Sequence, residues 1–166
     1  MTHTHLFDEI DPLTIMAGKG MRFEGVMDEA DRLMIASRFD FQDVRHISFD
    51  LTLKLISKDC WELRGIIKAK IIQNCVVTAK PVKDAFESEL IERFVTNFEE
   101  NEEIDVASAD VEPLANGKIL LKEAVVQFVG LSANPYPRSD GAPQTQEFGP
   151  KIEKENPFSK LSHLKK

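Results

Sequence analysis

Two alternating runs constrain this chain more than any other feature. Phe49, Leu51, Leu53 and Leu55 alternate with Asp50, Thr52 and Lys54. After a break, Trp61, Leu63, Gly65, Ile67, Ala69 and Ile71 alternate with Glu62, Arg64, Ile66, Lys68 and Lys70. Period two sends every second side chain to one face of a strand, so each run has a buried face and a wetter one. The register follows from keeping those faces apart. A two-residue loop at Lys58-Asp59 sets Leu53 opposite Arg64 and mixes them. A three-residue loop, Ser57-Lys58-Asp59, sets Leu53 opposite Leu63 and Phe49 opposite Ile67. A slip of one residue turns a whole apolar face to water, so the second register is expected. Asp59 then takes the left-handed position that closes such loops, which Asp tolerates.

The rest of the chain is arranged around this hairpin. Residues 1–20 read as irregular, broken by Pro12, Gly18 and Gly20. Residues 21–26 read as a short strand. Asp28 caps a helix running to about Arg38, with Glu29 and Asp31 at the positive end of its dipole. Ala30, Leu33, Met34 and Phe39 are expected to face the core. Val76, Val77 and Thr78 continue a strand until Pro81. Residues 86–98 stay open between helix and strand, because Phe86, Leu90, Phe94 and Phe98 suit one face of either. Residues 99–112 carry seven acidic residues and no basic one, the pattern of a solvated loop.

A second helix is expected over residues 121–131. Leu121, Ala124, Val125, Phe128 and Val129 form its stripe, and Gly130 marks its end. Residues 1–138 then form the domain, and residues 139–166 a flexible tail too poor in apolar groups to offset the entropy of ordering it. Asn156 and Pro157 suit the start of a helical turn that sets Phe158, Leu161 and Leu164 on one side. A polar tether with an apolar tip has the form of a docking segment, so these three residues are candidate partner contacts; folding back onto the domain is the alternative.

Charge and cysteine usage narrow the function. With 21 basic and 28 acidic residues the net charge is −7, which opposes a chain-wide grip on phosphate. Cys60 and Cys75 form no CxxC unit and read as reduced thiols of a cytoplasmic protein. The N-terminus lacks the pattern of a signal peptide, and no apolar run spans a bilayer. His46, Cys60 and Cys75 lack the close pairing that zinc requires, so no metal or cofactor is expected. Gly18-Lys19-Gly20 falls short of a phosphate loop. His3 and His5 read as solvent-exposed. No catalytic residue is assigned; an enzyme would have to use Cys75 or a carboxylate in a pocket invisible in the sequence. One constellation stands out. Lys54, Arg64, Lys68 and Lys70 share the polar face of the hairpin, with Lys80 and Lys83 following. They form either a solvated face that discourages edge pairing or a basic patch for RNA phosphates. The face has no aromatics for base stacking.

Four blocks of the chain resemble the YceD family of large ribosomal RNA subunit accumulation proteins, in the form common among alphaproteobacteria. They are residues 28–39, the stretch from Leu63 to Thr78 with Pro81-Val82, the stretch from Glu112 to Leu131 with Pro135-Tyr136-Pro137-Arg138, and Asn156-Pro157-Phe158 with Leu161 and Leu164. Leu120 stands where relatives carry an acidic residue before the second helix. Thr78 stands where many carry a second cysteine, and their C-terminal cysteine cluster is absent, so no metal site carries over. The resemblance implies a strand for residues 86–98. It also implies a non-catalytic factor in ribosomal RNA accumulation and ribosome assembly, with ribosomal RNA or a basic ribosomal or RNA-processing protein as partner. No membrane or small-molecule substrate is expected. The fold class expected is α+β: a mostly antiparallel sheet, open or barrel-like, with two packing helices.

Overall fold

The computed structural model describes residues 2–15, 18–96 and 110–143. Its elements in chain order are β1 (Thr2–His3), β2 (Met21–Val26), α1 (Glu29–Arg38), β3 (Asp43–Ser57), β4 (Cys60–Asn74), β5 (Pro81–Val95), β6 (Asp110–Pro113) and α2 (Leu121–Ser132). The strands form one mixed six-stranded sheet in simple order from β1 to β6. The central pairings are antiparallel, and the short edge strands β1 and β6 run parallel to their neighbours. The architecture is α+β. No pairing joins β1 to β6 among the described residues, so the sheet is open and the barrel-like alternative is not formed there.

The hairpin has the expected register. Leu53 lies opposite Leu63 and Phe49 opposite Ile67. The loop is not the expected three-residue one: Ser57 pairs with Cys60, leaving Lys58-Asp59 as a two-residue turn with Asp59 at φ 59°, and the bulged Ile56 restores the register. Both strands run further than the alternation announced, since β3 begins at Asp43 and β4 ends at Asn74. A second irregularity, at Arg45, lies between the pairs Val44–Ile71 and His46–Lys70. The strand does not continue through Val76 and Val77. These side chains are exposed, and Ala79 at φ 56° turns the chain so that Cys75 donates its N–H to the Lys80 carbonyl at 2.8 Å. Pro81 then opens β5, where its missing N–H breaks no interior ladder. Residues 86–95 are therefore strand, and Phe98 lies outside the described residues.

One face of the sheet is dry. Phe23, Leu51, Leu53, Leu63, Ile67 and Phe94 are buried on it, and burying each such side chain contributes about 1.5–3 kcal/mol before entropy is counted. Asp28 caps α1 as expected, accepting from the Asp31 amide at 2.8 Å. Its inward face is nevertheless displaced from the expected one. Ile35 is fully buried, whereas Leu33 is 64% exposed and Ala30 and Met34 are exposed too. Ala36 and, as expected, Phe39 pack against the core beside Ile35, and the partly buried Arg32 donates from its guanidinium at 2.7 Å to the Arg45 carbonyl at the β3 bulge.

In α2, Leu121, Ala124, Val125 and Val129 are buried as expected and Phe128 partly so. Gly130 does not end this helix. It lies within it, where an added Cβ would collide with the Phe39 ring. The N-terminal residues are also more ordered than expected. Leu6, Ile10 and Ile15 are core residues, and Ile10 bridges Ile119. The Phe7 carbonyl accepts from the Lys122 amide at 3.2 Å, satisfying a first-turn donor that Leu120 leaves uncapped. His3 is half-buried between the Phe7 and Phe23 rings, while His5 is exposed.

Truncating Leu53 or Ile67 to Ala should cost about 2–5 kcal/mol in urea unfolding, because both are fully buried in the layer that defines the register. Gly65→Ala should lower the urea midpoint at least as much. Gly65 sits at φ 157°, and its α-carbon faces the Asp50 carbonyl too closely to admit a methyl group.

Candidate functional site

The outward face of β2–β5 holds all four cations singled out from the sequence. Lys54, Arg64, Lys68 and Lys70 are exposed on it, and the register shows what surrounds each. The Arg64 guanidinium donates to Glu89 at 2.8 Å, which raises its pKa further. Lys68 meets Glu87 at 3.1 Å. Lys54 lies directly across from Glu62, which itself pairs with Arg93 at 3.3 Å. At the β2 side Arg22 forks onto Asp50, both bonds at 2.9 Å. Much of the expected basic patch is therefore a ladder of alternating signs. Each exposed pair adds little to stability, but together they cancel the field that would attract phosphate.

Lys70 is different. Its cross-strand neighbours, His46 and Ala85, include no carboxylate, and among the described residues neither it nor Lys54, which lies across from Glu62, forms an ion pair. Beyond it lies Lys83, also unpaired, across from Ile72. The β3 bulge adds Arg45, which meets Asp43 at 2.6 Å. Lys70, Lys83, Arg45 and Ile72 line a shallow depression of about 480 Å³, together with Asp84. Asp84 accepts from the Asn134 amide at 3.1 Å. Lys70 and Lys83 are legible in the sequence as part of this patch, and Arg45 is not. A bulge leaves no alternation signal, so nothing along the chain marks Arg45 as their neighbour.

Cys75 sits in the turn between β4 and β5 and is 4% exposed. Its sulfur accepts from the Ser139 amide at 3.3 Å and from the Val77 and Thr78 amides at 3.4 Å each, and the Ser139 hydroxyl lies at 3.5 Å. The hydroxyls of Ser139 and Thr78, then these amides, pull the thiol down to about 6 against desolvation. His46 cannot serve it as a base, since it lies on the outward face opposite Lys70, five residues back along β4. Among the described residues no group of three His, Cys, Asp or Glu is placed to hold a metal, and no helix is long and apolar enough to cross a membrane. The docking candidates Phe158, Leu161 and Leu164, and most of the acidic run, lie outside the described residues; Asp110 and Glu112 belong to β6.

In a Cys60→Ser background, Cys75 thiolate absorbance at 240 nm should titrate near pH 6, and Ser139→Ala should move the midpoint upward. The ordinary thiol value is 9.0, so the folded state favours the thiolate. Its contribution is complete above pH 9 and is lost as pH falls through 6. The stability of the Cys60→Ser protein relative to a variant also carrying Cys75→Ser should therefore rise between those limits in urea titrations.

Compared with known proteins, the chain matches no family model, no curated protein and no solved structure.

Proposed function

We propose that this chain is a non-catalytic, cytoplasmic binding module that supports accumulation of large-subunit ribosomal RNA and ribosome assembly, and that it touches RNA at one end of its outward sheet face. The resemblance of its four sequence blocks to the YceD family motivates the process. The observation that carries the contact is the unpaired state of Lys70 beside the bulged Arg45, on a face where Arg64 and Lys68 are already neutralised. Free cations contact phosphate and release counterions; paired ones must first leave a carboxylate. Binding is thus expected to be salt-sensitive and indifferent to base sequence, because free cations reach phosphates and carry no base readout.

The acidic balance of the chain leaves room for a basic ribosomal or RNA-processing protein on the rest of the ladder, with Phe158, Leu161 and Leu164 as further anchors. An enzymatic reading would use Cys75 or a carboxylate; among the described residues the Cys75 thiol has its donors, and His46, the base considered for it, lies on the other face of the sheet.

Filter binding to large-subunit ribosomal RNA across a salt series separates the cations. Lys70→Glu should weaken binding by about tenfold at low salt and reduce the slope of log K against log salt by about one. Lys54→Glu should change both much less. Equal effects at the two positions, or no salt-dependent binding by the unsubstituted chain, would remove the RNA contact from this proposal. Recovery of one protein partner after nuclease treatment of a pull-down would place the adaptor role first.

A further inference from the structure

The outer edge of β5 is covered over only part of its length. β6 pairs with residues 92–95, and among the described residues no strand lies against residues 81–91. This edge is also regular. The β4–β5 ladder runs from Cys60–Val95 to Asn74–Pro81 without a register shift, whereas the β3–β4 ladder has two. Natural edges are commonly blunted by bulges, by shortness, by proline or by charged side chains, and the charges on this edge are of both signs, so they oppose partners of one sign rather than a complementary one. Here the only proline is Pro81, at the very end.

The Leu114 amide donates to the Val95 carbonyl at 2.9 Å, so Val95 turns its backbone toward the edge. Alternation along a strand then sends the N–H and C=O groups of Lys83, Ala85, Glu87, Glu89 and Ile91 the same way. Their side chains stand on the outward face. Those of Val82, Asp84, Phe86, Ser88 and Leu90 stand on the inward one.

We propose that this edge is a self-complementary interface, pairing antiparallel with the same edge of a second copy about a two-fold axis at Phe86. The charge pattern around Phe86 selects the occupant. Lys83 falls opposite Glu89 of the second copy, and Glu89 opposite its Lys83, giving two attractive pairs from one strand. Val82 meets Leu90, Ala85 meets Glu87, Asp84 meets Ser88, and the two Phe86 rings face each other at the axis. Every residue that turns its backbone outward meets another that does so, as an antiparallel ladder requires. Odd shifts break this match and mix the two faces. A shift of two residues one way sets Glu87 against Glu87. The same shift the other way keeps Lys83 against a carboxylate, Glu87, but sets both Phe86 rings against Asp84. Lys83 forms no ion pair among the described residues, and Glu89 gains a second cation beside Arg64. Cross-strand pairs of opposite charge and of aromatic rings stabilise such a ladder, and like charges directly opposite destabilise it.

Sedimentation equilibrium of the full chain, free of nucleic acid and at low salt, tests the proposal independently of any RNA contact. A monomer–dimer equilibrium is expected. Lys83→Glu should weaken dimerisation by about tenfold, since it turns two attractive pairs repulsive without touching an intramolecular ion pair. Glu89→Lys should do likewise, and the double variant should restore the dimer. Glu87→Pro removes an outward N–H that β4 does not use. It should abolish the dimer while leaving the circular dichroism spectrum unchanged. A chain that stays monomeric at every concentration overturns the proposal, as does a dimer indifferent to both charge reversals. Single reversals that the double variant fails to rescue would overturn the register.

Discussion

Leu53 against Leu63 and Phe49 against Ile67 is the contact on which the other layers rest. With these pairs in place, Phe23 of β2 and Leu90 and Phe94 of β5 fall on the same dry face as their neighbours. Ile35 of α1 and Leu121, Val125 and Val129 of α2 then close it. A one-residue slip would bury Asp50, Arg64 and Lys68, and leaving ions of that kind without partners in the interior costs several kcal/mol each. Gly65 holds the same register from the backbone side, because the Asp50 carbonyl comes too close for any side chain there. Register, core and outward charge pattern are thus one constraint.

That constraint also determines what the wet face can bind. Cross-strand neighbours are set by the ladder, so Arg64 meets Glu89 and Lys68 meets Glu87 whether or not a ligand is present. A face that looks basic when one strand is considered alone becomes nearly neutral once its neighbour is laid beside it. Net positive character survives where β5 carries Ala85 and Lys83 instead of carboxylates and where the β3 bulge brings in Arg45. The cationic end and the free edge of β5 are consequences of the same strand being long, regular and unevenly charged.

The ends of α1 and α2 are tied together by polar contacts. Arg38 forks onto Glu123 at 2.7 and 2.8 Å, and Lys122 lies between Asp8 at 2.8 Å and Asp31 at 3.3 Å. These pairs are partly exposed and contribute little individually. Their role is positional: they join the N-terminal segment, α1 and α2 over the buried face of the sheet. The Cys75 turn has the same character at the other end of α2, where Ser139 and the Pro137 carbonyl tie the chain leaving α2 to the turn that leads into β5.

The sequence by itself determined whatever repeats locally. Alternation settled the hairpin, its register and the left-handed turn at Asp59, because a two-residue period leaves one arrangement with separated faces. The cap at Asp28 and the stripe of α2 were legible for the same reason, each being read within a few residues. Everything that depended on a distant partner was decided by the tertiary structure. Leu33 and Met34 are apolar, but α1 packs Ile35, Ala36 and Phe39 against the core and leaves those two exposed, a rotation set by the layer beneath it. Residues 86–95 fit either period until β4 presented a ladder to them. Gly130 read as a helix end because its reason for being glycine, the Phe39 ring, lies far away in the chain. Arg64 and Lys68 read as free cations because Glu87 and Glu89 arrive from a strand some twenty residues further on, and local patterning carries no information about charges that only pairing brings together.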